Sequence, residues 1–499
     1  MHPDAPDRHL LMVRLAPEIT TKSRRTRRRF QQALIRNIRD ALDTGDFDHR
    51  VENLWTRILV ESDAPEAAER VARVAGISSL SPVDARVPAH LDAIVERGRE
   101  LYHERVKGLR YAVDARREGE HPFTSRDIKV HLGAALNPGA TVDLDHPDVT
   151  VEVEVRGDEA FLFARRIRGL GGLPLGVQGR AVCLISGGFD SAAAAWLLLK
   201  RGVELEYVFC NLAGGAYERL VAMVARVLAT EWSHGLRPRM HVVDFTDVVA
   251  ELQEHVTPRY WQVVLKRLMY RAAEAVAEEI DAEAIVTGES LGQVSSQTLG
   301  NLRAIDDATD RPVFRPLLGM DKNDIIALTQ EIGTAALSAR VREYCAILPD
   351  RPVTHARPAA VRDEARRVDP AVLERALGEK RILDLRDMDA RDMVEPYIFT
   401  DEIPNDAVVL DVRPLHRYRA WHYPGAESRP PQQLLHGLGD LDRERTHVLY
   451  CDQGTQTAHI AELMQRVGFE AYSFRGGTRA VRRWAADHPP TPVTVRGET

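Results

Sequence analysis

The sequence predicts a multidomain protein that joins α+β units to α/β units with parallel sheets. Its 499 residues correspond to about three or four domains of ordinary size. After residue 180, strand-like runs alternate with helical segments, a pattern typical of doubly wound sheets. The first third mixes short strands and helices less regularly, which favours small α+β units. We therefore predict domains at residues 1–62, 63–167, 176–394 and 405–499.

The composition is that of a chain with ordinary hydrophobic cores. Apolar residues make up 44% of the sequence, yet the longest purely apolar run is the short segment 192–199. A membrane-spanning helix needs about 20 apolar residues, so we predict none and no membrane partner. Residues 1–8 lack the apolar centre of a secretory signal. We therefore expect a cytoplasmic protein.

The four cysteines are widely spaced, at positions 183, 210, 345 and 451. This spacing excludes a zinc knuckle and a CxxC redox motif, and we predict no structural metal. A disulfide framework is not expected in a reducing compartment. Cys183 and Cys210 lie in apolar strand-like runs and are interpreted as buried hydrophobic residues. Cys345 and Cys451 need a different explanation.

The N-terminal unit is predicted to contain a strand at 10–15, a basic loop, a helix at 30–42 and a strand at 51–59. Within residues 22–29, six of eight side chains are basic, although the whole chain has a net charge of −7. Such a cluster can neutralise the phosphates of a nucleic acid. A solvated helix face is an equally good interpretation of a basic run alone.

The second unit is predicted from helices at 64–74, 91–101 and 125–136, and from strands at 111–115, 140–144 and 149–155. Glycines are frequent in residues 168–176, which we interpret as a hinge and a domain boundary.

The third and fourth units alternate strands and helices. The third has predicted strands at 181–185, 205–210, 240–245 and 284–287, and helices at 191–200, 219–232 and 261–280. The fourth has predicted strands at 408–412, 447–450 and 471–474, and helices at 459–467 and 478–486. Residues 350–400 are rich in Arg, Asp, Pro and Ala, and we expect them to form a helical, solvated and mobile linker.

The clearest motif is the segment 186–191, Ser-Gly-Gly-Phe-Asp-Ser, between an apolar strand and an apolar helix. This position directs free backbone N–H groups and the positive end of a helix toward one point. Gly187 and Gly188 permit close approach of a polyanion, and Ser186 and Ser191 can donate hydrogen bonds to phosphate oxygens. Asp190 cannot bind phosphate directly, so we expect it to act through Mg²⁺ or to orient a neighbouring side chain.

The motif lacks the GxxxxGK[ST] spacing of a Walker A loop. It resembles the PP-loop of ATP pyrophosphatases, which adenylate a carbonyl oxygen and release pyrophosphate. Residues 288–298 follow the fourth strand of the same unit, where ligands of such sheets bind. Lys322 lies near a predicted helix start and could offset phosphate charge, although charge alone does not distinguish it from a surface lysine.

A second motif places Cys451 at the end of a strand and before a helix. Backbone N–H groups at such a position stabilise a thiolate, the form that accepts and holds sulfur as a persulfide. Residues 410–413, 422–426 and 476–477, with Trp484, match the rhodanese pattern. Residues 455–458 are uncharged, unlike many rhodanese loops, which favours a protein persulfide over thiosulfate as the sulfur donor.

In their order along the chain, these motifs resemble one family, the long form of tRNA 4-thiouridine synthetases. Further matching segments are 17–23, 146–149, 184–191, 287–302 and 343–345. The resemblance implies an N-terminal ferredoxin-like domain, a THUMP RNA-binding domain, a doubly wound PP-loop domain and a C-terminal rhodanese-like domain.

The resemblance also implies a mechanism and its participants. A cysteine desulfurase passes sulfur to Cys451, ATP with Mg²⁺ activates O4 of the tRNA uridine at position eight as an adenylate, and sulfur displaces AMP. Cys345 then forms a disulfide with Cys451, which a thiol reductant such as thioredoxin resets. Asp190 and Lys322 are implied in adenylation. The further residues implied to contact ATP are Leu184, Ile185, Lys266, Gly288 and Gln297.

Two other functions compete with this interpretation. An adenylating ligase for a small metabolite would share the PP-loop but would leave the rhodanese-like segment unexplained. A sulfur-relay carrier would need only residues 405–499 and would leave the N-terminal units without a role. The resemblance supports relay as an additional role, since long-form members also supply sulfur for the thiazole of thiamine through a carrier protein.

Overall fold

The computed structural model describes residues 8–212, 215–341, 351–388, 398–404, 406–413, 415–451 and 455–488. It separates into two compact units. The first contains residues up to 210, 224–339 and 347–386, and the second contains 211–223, 340–346 and the chain from 387 onward. Across the described ranges, no helix combines the length and apolar character required to cross a bilayer.

Residues 9–171 build two sheets with helices packed on them. The helices are α1 (Pro17–Thr20), α2 (Arg24–Thr44), α3 (Ala67–Ala72), α4 (Leu91–Val106) and α5 (Ser125–Leu136). The strands are β1 (His9–Leu15), β2 (His49–Asn53), β3 (Arg57–Ser62), β4 (Ile77–Pro82), β5 (Ala85–Pro88), β6 (Arg110–Glu118), β7 (Thr141–Val142), β8 (Val149–Arg156), β9 (Glu159–Phe163) and β10 (Ile167–Gly171).

The first sheet has the strand order β10-β4-β1-β3-β2, and its strands pair antiparallel. The apolar stripe of α2, which includes Phe30, Leu34 and Ile38, is buried in the core shared with this sheet. The second sheet has the order β5-β9-β8-β6-β7 and pairs β6 with β8 in parallel. Residues of α4 and α5 join its strands in a separate core.

Two N-terminal predictions are wrong. The basic run was expected to form a loop, but α2 begins at Arg24 because Ser23 caps it by accepting a hydrogen bond from the Thr26 N–H. Residues 168–176 were expected to form a hinge, but residues 168–171 belong to β10, which pairs with β4, so the hinge is wrong for these four residues. The chain therefore returns to its first sheet after completing the second.

The third sheet belongs to a doubly wound α/β segment, as predicted. Its strands are β11 (Arg180–Leu184), β12 (Glu204–Asn211), β13 (Arg239–Asp244), β14 (Ala284–Val286), β15 (Val313–Phe314) and β16 (Arg381–Asp384). Its helices are α6 (Phe189–Lys200), α7 (Gly215–Glu231), α8 (Thr246–His255), α9 (Trp261–Glu279), α10 (Leu299–Asp306), α11 (Lys322–Ile332), α12 (Ala335–Ser338), α13 (Pro358–Ala365) and α14 (Pro370–Gly378).

The strand order β15-β14-β11-β12-β13-β16 reverses at β11. From β11 the chain builds outward through β12 and β13, and it then returns to the other side of β11 with β14 and β15. Strands β11 and β14 pair in parallel, so their carboxyl ends meet at the same edge. This reversal is a topological switch point, where open α/β sheets bind ligands.

The prediction of a mobile linker at 350–400 is wrong for residues 351–386, which fold into α13, α14 and β16. Helices α13 and α14 pack against α9, and Val361, Val372 and Leu373 are buried. Strand β16 adds to the edge of the third sheet antiparallel to β13. Burial of these apolar side chains anchors the segment to the third sheet.

The C-terminal unit is a five-stranded parallel sheet between helices. Its strands are β17 (Phe399–Thr400), β18 (Val408–Asp411), β19 (Glu427–Ser428), β20 (His447–Tyr450) and β21 (Ala471–Phe474). Its helices are α15 (Leu415–Ala420), α16 (Pro431–His436), α17 (Thr455–Arg466) and α18 (Gly477–Asp487). The strand order is β17-β21-β20-β18-β19, and separate apolar clusters cover its two faces.

Candidate active site

The loop from Ser186 to Gly188 turns the chain sharply from β11 into α6. Gly187 has φ +75°, in the left-handed region that favours glycine. The hydroxyl of Ser191 fixes the turn, because it accepts a hydrogen bond from the Ser186 N–H at 3.2 Å and donates one to the Gly188 carbonyl at 3.2 Å. The serine predicted to bind phosphate thus also closes the loop.

Helix α6 begins without a side-chain cap, because its N-cap residue is Gly188. The first N–H groups of a helix have no partner within the helix, and together with the helix dipole they attract an anion. A Cβ atom added to Gly188 would meet only the Ser186 hydroxyl oxygen, at 3.6 Å. An accessible, uncapped helix start is the geometry that fits a nucleotide phosphate.

Gly288 brings the segment after β14 directly against the first turn of α6. A Cβ atom at Gly288 would lie 2.6 Å from the backbone carbonyl carbon of Asp190 and 2.6 Å from the Ser191 nitrogen. No side chain fits in that space. The absence of a side chain at Gly288 therefore allows the segments after β11 and β14 to meet at the switch point.

Asp190 and Lys322, predicted from distant parts of the sequence, form an ion pair. The Lys322 Nζ lies 2.9 and 3.0 Å from the two carboxylate oxygens of Asp190, and 5.6 Å from the Phe189 ring centroid. The Asp190 side chain is 16% exposed and the Lys322 side chain 40%. The ammonium group is therefore held beside the start of α6 while remaining accessible to a ligand.

A buried carboxylate, Glu289, connects the neighbouring elements. It accepts hydrogen bonds from Lys266 Nζ at 2.6 Å, Arg315 Nε at 2.8 Å and the Tyr270 hydroxyl at 2.7 Å. Burial alone would raise the pKa of Glu289, but Lys266 and Arg315 outweigh it and lower the pKa to about 2. Glu289 is therefore a permanent anion that fixes Lys266, a predicted nucleotide contact.

The other predicted nucleotide residues lie along the same edge. Leu184 ends β11, and the Ile185 N–H donates to the Val208 carbonyl at 3.0 Å. Gln297 lies in the short turn Ser295–Gln297; it is buried, and its Oε1 has no hydrogen-bond partner in the described part of the chain. Contacts to a nucleotide remain predictions for these residues.

Cys451 follows β20 immediately and is 6% exposed. Its Sγ lies 3.7 Å from the Thr457 hydroxyl oxygen, which lies 2.7 Å from the hydroxyl oxygen of Ser473. The Thr478 N–H donates to the Cys451 carbonyl at 2.9 Å and joins the cysteine to the start of α18. Residues 452–454 and the predicted resolving residue Cys345 lie outside the described residues.

A buried polar network supports the strand that carries Cys451. Asp411 accepts hydrogen bonds from the Tyr450 hydroxyl at 2.7 Å and from Arg413 Nη2 at 2.6 Å. The Tyr423 N–H donates to the Tyr450 hydroxyl at 3.0 Å. Two of the segments that carried the rhodanese resemblance, 410–413 and 422–426, are therefore brought together around the residue that precedes Cys451.

Cys183 and Cys210 are buried as predicted. Burial raises the pKa of the Cys183 thiol to about 12 and raises that of Cys210 further. Neither thiol is suited to carry sulfur as an anion, which leaves Cys451 as the candidate among the described cysteines.

The sequence analysis gave no role to Glu289, Arg315 or Tyr270, although Glu289 lies in the segment 288–298 that it singled out. The sequence feature that could have identified Glu289 is its position directly after Gly288, the glycine that follows a predicted strand. Its basic partners are 23 and 26 residues away along the chain. No local pattern joins them.

Comparisons with known proteins agree with this architecture. Family descriptions match in the order ThiI ferredoxin-like domain at 10–81, THUMP domain at 88–165, thiamine biosynthesis protein (ThiI) at 176–369 and rhodanese-like domain at 396–483. These matches confirm the predicted fold class.

Full-length relatives match as well. A tRNA sulfurtransferase of Desulfurococcus amylolyticus is 38% identical over 476 residues, covering 94% of this chain and 98% of the relative. Another from Pyrobaculum aerophilum is 35% identical over 488 residues, covering 96% and 98%. The crystal structure of a 4-thiouridine synthetase–RNA complex with bound ATP has a TM-score of 0.68 and 32% identity, covering 75% of this chain and 99% of that chain.

Proposed function

Because this chain belongs to the tRNA sulfurtransferase family, we propose that it uses ATP to replace the 4-oxygen of a tRNA uridine with sulfur, giving 4-thiouridine. The main support is that one chain contains two different sites. The first is the uncapped start of the PP-loop helix with Lys322 beside it, and the second is a cysteine at the end of a strand in the rhodanese-like sheet. Adenylation and sulfur transfer require these two kinds of site.

The first step that we propose is adenylation. Uridine O4 attacks the α-phosphorus of ATP and pyrophosphate leaves, which turns a poor leaving oxygen into a good one. The start of α6 and Lys322 would hold the phosphates, and Asp190 would position Lys322. The Asp190 carboxylate with nucleotide phosphates is a donor set that Mg²⁺ accepts, and bound Mg²⁺ would neutralise phosphate charge.

The second step that we propose is sulfur transfer from a persulfide on Cys451. A cysteine desulfurase loads the terminal sulfur, which then replaces AMP at C4 of the uridine. Attack of the Cys345 thiolate on Cys451 Sγ releases the sulfur, either as sulfide before transfer or as thiouridine after it. Both routes leave a Cys345–Cys451 disulfide, which a dithiol such as thioredoxin reduces.

We assign tRNA binding to the N-terminal units. The basic residues of α2 would contact backbone phosphates, which gives affinity without reading sequence. Selection of the uridine at position eight would then depend on tRNA shape and on the reach from the THUMP segment. A second role, sulfur delivery to a carrier protein for the thiazole of thiamine, is favoured by the matched family description, a thiamine biosynthesis protein.

Reconstitution of the reaction tests this proposal. The purified full-length chain is incubated with unmodified tRNA, ATP, cysteine, a cysteine desulfurase and a dithiol, and 4-thiouridine is measured by nucleoside mass spectrometry. Product should require both ATP and the desulfurase. If Cys451 becomes loaded with sulfur but no tRNA is modified under any of these conditions, the carrier role would replace the enzymatic one.

A further inference from the structure

The loop between β2 and β3 holds a tryptophan in a backbone conformation that this residue type avoids. Trp55 has φ +65°, in the left-handed region. Polar side chains hold both sides of its backbone. Arg27 Nη2 and Gln31 Nε2 donate to its carbonyl at 2.8 and 2.5 Å, and its N–H donates to Asn53 Oδ1 at 3.0 Å. Strain held by its surroundings in this way is typical of functional positions.

Trp55, held in this conformation, is 39% exposed. It borders a cavity of about 410 Å³ lined by Arg24, Arg28, Gln31, Gln32, Asn53 and Trp55, which we call the Trp55 pocket. An exposed aromatic face beside arginines and amides has the composition that proteins use to hold an unstacked base and its phosphate.

The backbone of Trp55 also fixes the orientation of two amides in the pocket. A carbonyl only accepts hydrogen bonds, so Gln31 must point its Nε2 at Trp55 and leave Oε1 for another donor. Gln31 is 1% exposed, and this Oε1 has no partner within the described residues. Asn53 uses its oxygen for the Trp55 N–H, which leaves its Nδ2 as a donor. Asn53 therefore offers the pocket one oriented donor, and the lining residue Gln31 holds a buried acceptor without a partner in the described part of the chain.

The charge around the pocket favours an anion. Arg24, Arg25, Arg27, Arg28 and Arg29 all lie in the first turns of α2, where the helix dipole is unfavourable for cations and no acidic residue offsets it. None of the five forms an ion pair in the ranges that the structure describes. The Arg27 and Arg24 guanidinium groups lie 4.7 and 6.0 Å from the centre of the Trp55 ring.

We propose that the Trp55 pocket binds one unpaired nucleotide of the tRNA. The base stacks on Trp55, the phosphate contacts Arg24 and Arg28, and a polar group of the base or ribose accepts a hydrogen bond from Asn53. The inference rests on the proposed function, since it takes tRNA as the ligand. A free mononucleotide has the same chemistry, and the experiment separates the two sources.

The test measures tRNA affinity of full-length Trp55→Ala and Trp55→Phe as a function of salt concentration. Loss of one stacked base should weaken binding by about 5- to 100-fold in Trp55→Ala, whereas Trp55→Phe keeps a ring and should bind nearly as the wild type does. The salt dependence should stay unchanged in both variants because the ring is uncharged. In Arg28→Gln, by contrast, the slope should fall by about 0.7 to 0.9.

A blunt RNA duplex without unpaired nucleotides is the matched ligand, and wild type and Trp55→Ala should bind it equally. Equal tRNA affinities of wild type and Trp55→Ala, or an equal loss on the blunt duplex, would overturn the nucleotide pocket. In either case 4-thiouridine formation by the wild type would leave the proposed function intact. If the wild-type protein neither binds nor thiolates tRNA, both the nucleotide pocket and the proposed function are wrong.

A third arm titrates AMP and UMP while following indole fluorescence, with Trp55→Phe as the reference that isolates the signal of Trp55. Under the proposal, free mononucleotides leave that signal unchanged at micromolar concentration, because the rest of the tRNA supplies most of the affinity. Saturation at micromolar mononucleotide would assign the pocket to a free nucleotide and overturn the tRNA assignment.

Discussion

Asp190 illustrates how a single side chain in the nucleotide loop acts through a neighbour. Its carboxylate is mostly buried and is bound to the more exposed Lys322 ammonium group. Such a residue is suited to holding a cation in position rather than to contacting phosphate, which is also negative. The contribution of Asp190 to adenylation therefore depends on the position in which it holds the Lys322 ammonium group.

The first prediction concerns this pair. Asp190→Ala should lower tRNA-dependent pyrophosphate release by about 100-fold or more, because Lys322 loses its position beside the phosphates. ATP affinity should change much less, because the α6 N–H groups remain. The measurement combines pyrophosphate release with ATP binding by calorimetry.

The control for this prediction is Asp324→Asn, which changes an exposed acid on the same helix as Lys322. Sulfur loading of Cys451 should be normal in both variants. Pyrophosphate release at the wild-type rate in Asp190→Ala would refute the positioning role.

The second prediction concerns the two candidate redox cysteines. Cys451→Ala should accept no sulfur from the desulfurase, because Cys183 and Cys210 are buried thiols with raised pKa values. Cys345→Ala should load Cys451 normally but fail to complete repeated turnover. Gel-shift detection of the persulfide and counting of 4-thiouridine per enzyme distinguish these defects.

Peptide mapping provides the matching positive result for the wild type. After one turnover without reductant, it should show a Cys345–Cys451 disulfide. Product formation that leaves both thiols reduced would eliminate Cys345 as the resolving residue.

At the scale of elements, the switch point depends on the close approach of the segment after β14 to the start of α6. The third prediction is that Gly288→Ala displaces the segment after β14 from the start of α6. The added Cβ atom would lie 2.6 Å from the backbone carbonyl carbon of Asp190, which is too close for both segments to stay in place. The expected cost to the free energy of unfolding is about 1–3 kcal/mol. ATP affinity should also fall. Denaturant unfolding measures the change in the free energy of unfolding, and calorimetry measures the change in ATP affinity.

Gly378→Ala is the comparison for this variant, because a Cβ there meets nothing within 4 Å. If Gly288→Ala retains wild-type stability and ATP affinity, the close approach is not required.

The start of α2 is the second element that carries a prediction. Replacing the exposed Arg25 and Arg29 with Gln should weaken tRNA binding and reduce its salt slope by up to about 1.4 to 1.8, the value for two released counterions. The helix itself should become slightly more stable, because cations oppose its dipole at that end. Filter binding at several salt concentrations and thermal unfolding measure the two effects.

The matched control replaces Arg366, an exposed arginine that directly follows α13 and lies outside the basic run. Its loss should leave the salt slope nearly unchanged. An unchanged slope in the Arg25 and Arg29 double variant would identify the basic run as a solvated helix face.

At the scale of the whole molecule, α2 packs against the doubly wound segment within the first compact unit. Asn37 Nδ2 donates to the Leu175 carbonyl at 3.2 Å, and Arg386 binds Asp40 at 2.9 and 2.8 Å. The helix that carries the predicted tRNA contacts is therefore joined directly to the segment that carries the PP-loop.

The fifth prediction concerns His234, which lies at this junction and is 2% exposed. Burial, followed by Arg70 and Arg386, lowers its pKa to about 4, against the opposing effect of Asp40 and Glu231. The unfolded histidine titrates near its ordinary pKa of about 6.5, so between pH 6.5 and 4 the unfolded state binds more protons. Stability should therefore fall with pH in this window, by on the order of 2 kcal/mol at pH 5 from His234 alone.

His234→Phe should remove this part of the pH dependence. Both ring nitrogens of His234 lack hydrogen-bond partners in the described chain, so the apolar ring leaves no group unpaired. Urea unfolding at pH 7 and pH 5 provides the measurement, and the exposed His131→Asn is the control. An equal loss of stability in wild type and His234→Phe between these pH values would contradict the assignment.

Local pattern determined much of the fold before any contact was known. The period of apolar residues located helix 125–136 and strands 447–450 and 471–474 with their observed bounds. The glycines and serines at 186–191 and the cysteine at 451 were recognisable because a strand precedes each and a helix follows. The domain boundaries and the ligand contacts of individual residues remain predictions.

Tertiary structure alone decided which distant segments meet. Pairing of β10 with β4 and of β16 with β13 joins strands separated by more than 80 residues. The binding of Glu289 by Lys266 and Arg315, and the fixing of two amides by the Trp55 backbone, are likewise absent from any local pattern. A sequence period reports which face of an element is buried. The partner of each buried or charged group depends instead on chain topology and close packing, which bring together residues that are far apart in the sequence.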